Sequence, residues 1–148
     1  MTKQPTRLDA PPETLDDDPP LSSLMTRRLV GITPDASLGV ALRLMATAEV
    51  RHLPVIDGGR CLGIVTEADV VRAVAAGQLA CPGPPVPVAV LCRKAPTLDP
   101  HDGRGIAAGH MHTTGIDAVL ITDDTRLIGI VTATDIVRSL ARADPTEP

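Results

Sequence analysis

The chain contains no phenylalanine, tyrosine or tryptophan among its 148 residues. This absence excludes recognition of a base or a sugar by aromatic stacking, so a purine could lie only between aliphatic side chains. The core must consist of valine, isoleucine, leucine, alanine and methionine. A chain of this length buries roughly two-thirds of its unfolded surface, so we expect one shared core rather than two independent domains.

The sequence also lacks a basic excess and a long apolar run. It has 14 basic and 18 acidic residues, a net charge of −4. Without a basic field, we expect no nucleic-acid partner. No run of 18 apolar residues and no apolar signal region occur, so neither a membrane span nor a secretion signal is predicted. The odd number of cysteines, three, indicates reduced thiols and a cytoplasmic location.

What the chain does contain is an internal repeat at an offset of 66 residues. Residues 24–75 align with residues 90–141 without a gap and share 16 identities. The most similar block reads GIVTEADVVR at 63–72 and GIVTATDIVR at 129–138. Because two similar halves usually pack face to face about a pseudo-two-fold axis, any site built by one half should have a counterpart in the other.

Composition and the repeat together predict how the chain is divided. We expect a disordered, acidic, proline-rich tail over residues 1–20, because it has few apolar side chains. The first repeat then covers 21–78 and the second covers 88–142. A stiff proline-rich linker over 79–87 separates them, and residues 143–148 form a second short tail.

Hydrophobic periodicity predicts the same elements in each half. In the first half these are a short helical turn at 21–26, a strand at 29–33, a helix at 37–49, strands at 53–57 and 62–66 joined by a Gly58-Gly59 turn, and a helix at 67–76. In the second half they are a short helix at 88–92, a strand at 97–99, a helix at 102–114, strands at 118–122 and 127–132, and a helix at 133–142.

This order, with the motifs RHLPVID at 51–57 and GIVTxxD at 63–69 and 129–135, resembles a tandem pair of CBS domains (cystathionine β-synthase domains), often called a Bateman module. The resemblance covers residues 21–142. It implies a mixed α/β fold in which two β-α-β-β-α repeats pack about a pseudo-two-fold axis as a single compact module.

The same resemblance implies regulation rather than catalysis. Modules of this kind commonly bind AMP, ADP or ATP in clefts between the two repeats. The implied partners are such a small adenosyl ligand, a second copy of the chain in a homodimer, and a target protein that the sequence does not identify.

By resemblance, Asp69 and Asp135 hold the ribose, and Thr66 and Thr132 lie beside the ribose or phosphate. The chemistry is consistent, because a helix N-terminus presents free N–H groups and a partial positive charge that suit phosphate. The same Thr-x-x-Asp spacing also resembles a capping box, which needs no ligand. Both roles can coexist at one corner.

Basic residues distinguish the two halves. Arg51 and His52 precede a strand, where related modules often place groups that meet phosphate, and the arginine fork suits that ligand. The equivalent positions in the second half are Asp117 and Ala118. Because a carboxylate repels phosphate, we expect unequal sites, with the second-repeat site around Asp135 the weaker one for a charged nucleotide.

Other positions carry less specific signals. Gly63 and Gly129 allow the close approach of either a ligand or a neighbouring backbone. The backbone near Thr33 and Pro34 is expected, by resemblance, to hold the adenine edge. Four arginines are further candidates to close over phosphates, although solvation is the simpler expectation for each: Arg27, Arg28, Arg72 and Arg138.

Catalysis and metal binding find no support in the motifs. The histidines and cysteines match no zinc spacing, and no nucleophile motif, Walker loop or dinucleotide-binding loop occurs. We therefore expect neither an enzyme nor a metal site. Two alternatives to a nucleotide sensor stay open: a dimerisation or scaffold module that binds no ligand, and a sensor of S-adenosylmethionine or another adenosyl compound.

Overall fold

Residues 18–77 and 85–142 are described by the structure, a computed structural model of the chain. The first repeat contains α1 (Leu38–Ala48), β1 (His52–Asp57), β2 (Arg60–Thr66) and α2 (Glu67–Ala75). The second contains β3 (Thr97–Leu98), α3 (Arg104–Thr114), β4 (Ala118–Asp123), β5 (Arg126–Thr132) and α4 (Ala133–Arg142). Short 3-10 helices, Leu21–Ser23 and Val88–Val90, precede the two repeats. The predicted mixed α/β fold of two like repeats is confirmed.

Each repeat is built on an antiparallel hairpin. The first consists of β1 and β2, and the second of β4 and β5. Both hairpins carry a register shift at the equivalent place, after Val55 in the first and after Ile121 in the second. The predicted turn at Gly58-Gly59 is confirmed, with φ values of 57° and 83° that favour glycine.

The strand predicted over 29–33 is wrong, because only Ile32 pairs with β1, through a parallel bridge to Val55. Ile32 exchanges two hydrogen bonds with that strand, to the Pro54 carbonyl at 2.9 Å and from the Ile56 N–H at 2.8 Å. The parallel ladder would continue through the N–H groups of residues 34 and 54, and both are prolines. In the second repeat Leu120 replaces Pro54 and donates to the Pro96 carbonyl at 2.9 Å, so β3 forms beside β4.

The leading segment of each repeat packs against the other repeat. Leu21, Leu24 and Met25 lie in the apolar core of the second repeat, whereas Val88 and Leu91 lie in that of the first. The bridges Thr26–Ile130 and Ile64–Arg93 continue this exchange at the outer edge of each hairpin. A third apolar cluster lies between the hairpins and contains Ile64, Ile116, Ala118, Leu120 and Ile130. The repeats therefore interlock and form one folding unit.

The helices α1 and α3 begin differently. The Ser37 hydroxyl caps α1 by accepting a hydrogen bond from the Val40 N–H at 3.2 Å. The counterpart of Ser37 is Gly103, which has no capping side chain. Asp18 supplies the cap instead: its Oδ1 accepts from the Gly105 N–H at 2.9 Å, and a Cβ on Gly103 would collide with this carboxylate.

Residues 18–20 therefore do not belong to the disordered tail expected over 1–20. They are held on the second repeat by the Asp18 cap, by a bridge between Pro20 and Gly103, and by the Pro19 carbonyl, which accepts from the Arg104 N–H at 3.0 Å. The rest of that predicted tail, residues 1–17, lies outside the described residues. So do residues 78–84, which include most of the predicted linker, and residues 143–148.

Replacing Asp18 with alanine is expected to lower the free energy of unfolding by about 1 kcal/mol, because the α3 cap is lost. Urea denaturation of the full chain measures this loss. Asp18→Asn is the matched control, since asparagine keeps the capping oxygen, and its loss should be much smaller. An alanine variant as stable as the parent would show that Asp18 contributes nothing to the fold.

Candidate functional site: two unequal clefts between the repeats

Two clefts open between the repeats, each lined by residues from both. The first has a volume of about 400 Å³ and the second about 980 Å³, the range of small-molecule sites. The first cleft is lined by Thr26, Arg28, Leu29, Val30, residues 49–52, Pro54, Ile130, Thr132, Thr134, Asp135 and Arg138. The second cleft is lined by Arg51, His52, residues 66–69, Val71, Arg72, Ala75, Arg93 and residues 115–117.

Each cleft brings the helix N-terminus of one repeat together with residues of the other repeat. Thr132 and Asp135 share the first cleft with Arg51 and His52 from the other repeat. Asp117 lines the second cleft, together with Asp69. The Asp117 side chain, which was expected beside Asp135, lines the cleft of Asp69 instead, although the Asp117 carbonyl accepts from the Ala133 N–H of its own repeat at 3.0 Å. Arg51 and His52 lie at the boundary and line both clefts.

The Thr-x-x-Asp corner of the second repeat is a reciprocal capping box. The Thr132 N–H donates to Asp135 Oδ2 at 2.9 Å, and the Asp135 N–H donates to Thr132 Oγ1 at 3.4 Å. Asp135 Oδ1 also accepts from Arg138 at 3.2 Å. The side chain of Asp135 is only 12% exposed, yet it borders the open first cleft. Its Oδ1 can still accept a second hydrogen bond from a ligand.

The equivalent corner of the first repeat is only half completed. The Asp69 N–H donates to Thr66 Oγ1 at 3.1 Å, and Asp69 Oδ1 accepts from Arg72 at 2.9 Å. Asp69 Oδ2 is buried and has no hydrogen-bond partner among the described residues. The Nη1 of Arg93 lies 3.7 Å from it. A buried carboxylate oxygen without a donor is costly, which makes this atom a natural acceptor for a ligand.

Two pairs of predicted site residues do not line either cleft. The carbonyls of Thr33 and Pro34 accept from Ala36 at 3.1 Å and Ala89 at 3.0 Å, so this backbone serves a turn and the contact with the second 3-10 helix. Residues 28–30 of the same leading segment do border the first cleft. In the sequence, a basic residue followed by Leu29 and Val30 could have indicated this segment.

Gly63 and Gly129 allow the approach of the crossing segments rather than that of a ligand in the described structure. A Cβ on Gly63 would collide with the Arg93 carbonyl, and one on Gly129 would lie 2.5 Å from the Sδ of Met25. Of the two explanations that the sequence left open, close approach of a neighbouring segment therefore accounts for both glycines.

The two clefts differ in the availability of positive charge. Arg28 lines the first cleft, and no described residue forms an ion pair or a hydrogen bond with its side chain. In the second cleft each arginine has a carboxylate neighbour: Arg51 lies 3.7 Å from Glu67, and Arg72 and Arg93 both flank Asp69. The first cleft therefore has a cation to offer an anionic ligand, whereas the cations of the second are already engaged.

The family model for the CBS domain matches this chain twice, over residues 21–76 and 88–142. The chain belongs to the CBS domain family. It is a tandem pair, as its sequence motifs predicted. Pairs of CBS domains are generally regulatory ligand-binding modules rather than catalysts.

Two relatives of known sequence match most of this chain but a smaller share of their own length. The chain is 33% identical to homoserine O-acetyltransferase from Methanococcoides burtonii over 120 residues, which is 80% of this chain and 23% of that enzyme. A 33.4 kDa protein from Thermofilum pendens is 30% identical over 86% of this chain and 45% of its own length. The chain thus spans less than half the length of these relatives.

Solved structures show the same architecture. The CBS domain pair of protein MJ0100, crystallised with 5′-methylthioadenosine and S-adenosyl-L-methionine, superposes with a TM-score of 0.75 at 22% identity, covering 84% of this chain and 98% of that one. A conserved protein from Pyrococcus horikoshii superposes with a TM-score of 0.72 at 28% identity, covering 88% of this chain and 97% of that one.

Among the helices of the described ranges, none has the length and apolar character needed to span a membrane.

Proposed function

We propose that this CBS pair is a regulatory sensor that binds an adenine nucleotide (AMP, ADP or ATP) in the first cleft and modulates a protein partner. The observation that carries the proposal is the uncompensated Arg28 in the same cleft as the N-terminus of α4 and the acceptor Asp135. A cation, the partial positive charge of a helix N-terminus and a ribose acceptor are three features that suit a nucleotide.

Different residues of the first cleft suit different parts of the nucleotide. Leu29, Val30, Val50 and Ile130 offer aliphatic surface, which would hold adenine by area burial in the absence of aromatic residues. Asp135 accepts from the ribose hydroxyls. The phosphate then lies at Arg28, whose guanidinium group can donate to it.

The position of the cleft gives the sensor its mechanism. The segment containing Thr26 and Arg28 belongs to the first repeat, but Thr26 pairs with Ile130 of the second. A nucleotide in the first cleft therefore contacts the crossing segment, the start of β1 and the N-terminus of α4 together. If the nucleotide binds one arrangement of the repeats more tightly than another, it shifts the equilibrium toward that arrangement. The size of the shift equals the difference between the two binding free energies.

A homodimer and a cytoplasmic location belong to the same proposal. Exposed apolar residues occur at equivalent places in the two repeats, as in the pairs Val40 and Ile106 or Val71 and Val137, and such paired faces suit a second copy of the chain. Cys61 is a free thiol, and burial raises its pKa, which makes the thiol less reactive.

Substitution of Arg28 by alanine is expected to weaken AMP binding by about tenfold or more, because one charged hydrogen bond to phosphate is lost. Isothermal titration calorimetry of the full chain measures the dissociation constant. Lys94 is the counterpart of Arg28 in the second repeat and does not line the first cleft, so Lys94→Ala is the matched control. It should leave the affinity within about twofold of the parent.

The outcomes also separate the alternatives. Equal losses in the two variants, or none in Arg28→Ala, would remove Arg28 from the phosphate site. Thermal unfolding with AMP, ADP, ATP and S-adenosylmethionine, all at the same concentration, should show stabilisation by a true ligand only, about 2.7 kcal/mol where that concentration is about 100 times the dissociation constant. A chain stabilised by S-adenosylmethionine alone would be an adenosyl sensor of another kind, and one stabilised by none would be a scaffold.

A further inference from the structure

In the second cleft, an acidic residue occupies the position that is basic in the first repeat. Asp117 is the counterpart of Arg51, and its side chain is 65% exposed. Its Oδ1 lies 2.7 Å from Nε2 of His52, whose own side chain is only 11% exposed. Because His52 is fixed by burial at the boundary between the clefts, it holds the Asp117 carboxylate in place at the wall of the second cleft.

The remaining polar groups of the second cleft accept hydrogen bonds or are already paired. Asp69 Oδ2 is buried without a donor among the described residues. Glu67 lies 3.7 Å from Arg51, while Arg72 and Arg93 both flank Asp69. A ligand that satisfies this cleft must bring donors, such as sugar hydroxyls. A phosphate there would instead meet Asp117 and would have to draw an arginine away from its carboxylate.

We propose that Asp117 is the specificity-determining residue of the second cleft, which closes that cleft to phosphorylated ligands and leaves it to an adenosyl ligand without phosphate. The inference rests on the proposed function, since it concerns the adenosyl class of ligand. Two negative charges a few ångströms apart at a partly exposed site repel each other enough to lower affinity by about tenfold or more. The two clefts of one module thus respond to ligands of different charge.

Nitrogen-15 NMR titration of the full chain tests this, because it reports on each cleft separately. Amide signals of residues 66–69 report on the second cleft and those of residues 132–135 on the first. In the parent chain, adenosine should shift the 66–69 signals at a concentration at least about tenfold lower than AMP does. In Asp117→Asn, that preference for adenosine should fall about tenfold.

Two further variants make the result specific. Asp123→Asn removes the same charge from the end of β4, outside both clefts, and should leave the preference unchanged. Asp117→Ser repeats the loss of charge with a different side chain, in case asparagine disturbs the contact with His52. Thermal unfolding of each variant confirms that it is folded.

The inference is overturned if Asp117→Asn and Asp117→Ser keep the parent's preference, if Asp123→Asn changes it equally, or if adenosine never shifts the 66–69 signals. The proposed function has its own readout in the same spectra. If AMP fails to shift the 132–135 signals while Asp117→Asn relaxes the second cleft, the nucleotide site is refuted and the role of Asp117 stands. If AMP shifts them and the second cleft keeps its preference, only the role of Asp117 is refuted.

Discussion

Gly63→Ala is expected to destabilise the chain by about 3 kcal/mol, whereas Gly129→Ala costs about 1 kcal/mol or less. The two positions are equivalent in the repeat, but their surroundings differ. Gly63 has φ of 153°, and a Cβ there would collide with the Arg93 carbonyl and lie 2.9 Å from the Sγ of Cys92. Backbone strain and an immovable neighbour each cost on the order of 1–3 kcal/mol.

The neighbour of Gly129 can move. Its Cβ would meet the side chain of Met25, a flexible thioether that can adopt another rotamer. Urea denaturation of both variants and the parent gives the two differences in unfolding free energy. Equal losses would contradict the account of the crossing segments, because that account makes a backbone carbonyl the obstacle in one repeat and a side chain in the other.

Asp135→Ala is expected to weaken AMP binding by roughly 10- to 150-fold, and Asp69→Ala should leave it within about twofold. The first figure is the value of hydrogen bonds from the ribose to a charged acceptor, about 1.5–3 kcal/mol. Both aspartates pair with an arginine three residues later, but only Asp135 also accepts from the Thr132 N–H, so Asp135→Ala removes more internal contacts than Asp69→Ala does. Only Asp135 borders the first cleft.

Calorimetric titration of both variants with AMP measures this contrast, and urea denaturation of the same samples records how much stability each has lost. If Asp69→Ala weakened AMP binding as much as Asp135→Ala, the loss would arise from a general loosening of the helices. If Asp69→Ala alone weakened it, the nucleotide would occupy the second cleft, contrary to the proposed function.

The internal repeat predicts most of the fold. An ungapped offset with matching periodicity predicts the order of helices and strands in both halves, and the Thr-x-x-Asp corners predict where helices begin. The failure of the strand at 29–33 could also have been anticipated, because Pro34 and Pro54 remove the N–H groups that a parallel ladder needs there. The substitution of Leu120 for Pro54 accounts for the short strand that does form in the second repeat.

The crossing of the repeats could not be predicted from that pattern. Leu21 and Val88 are apolar residues that each begin a 3-10 helix, and nothing local says whether each packs on its own repeat or on the other. The side chains that line each cleft depend on that choice, so the sequence could not show that the Asp117 side chain lines the cleft of Asp69. The cap by Asp18 is only weakly indicated by the sequence. Gly103 is the counterpart of Ser37, which caps α1, so α3 requires a cap from another residue.

The central claim is that a nucleotide lies in the first cleft, and a crystal structure of the full chain grown with saturating AMP tests it most directly. We expect the adenine between Val30 and Ile130, the ribose hydroxyls at Asp135 and the phosphate at Arg28. An empty first cleft in such crystals, or AMP bound against Asp69 and Asp117 instead, would contradict the account.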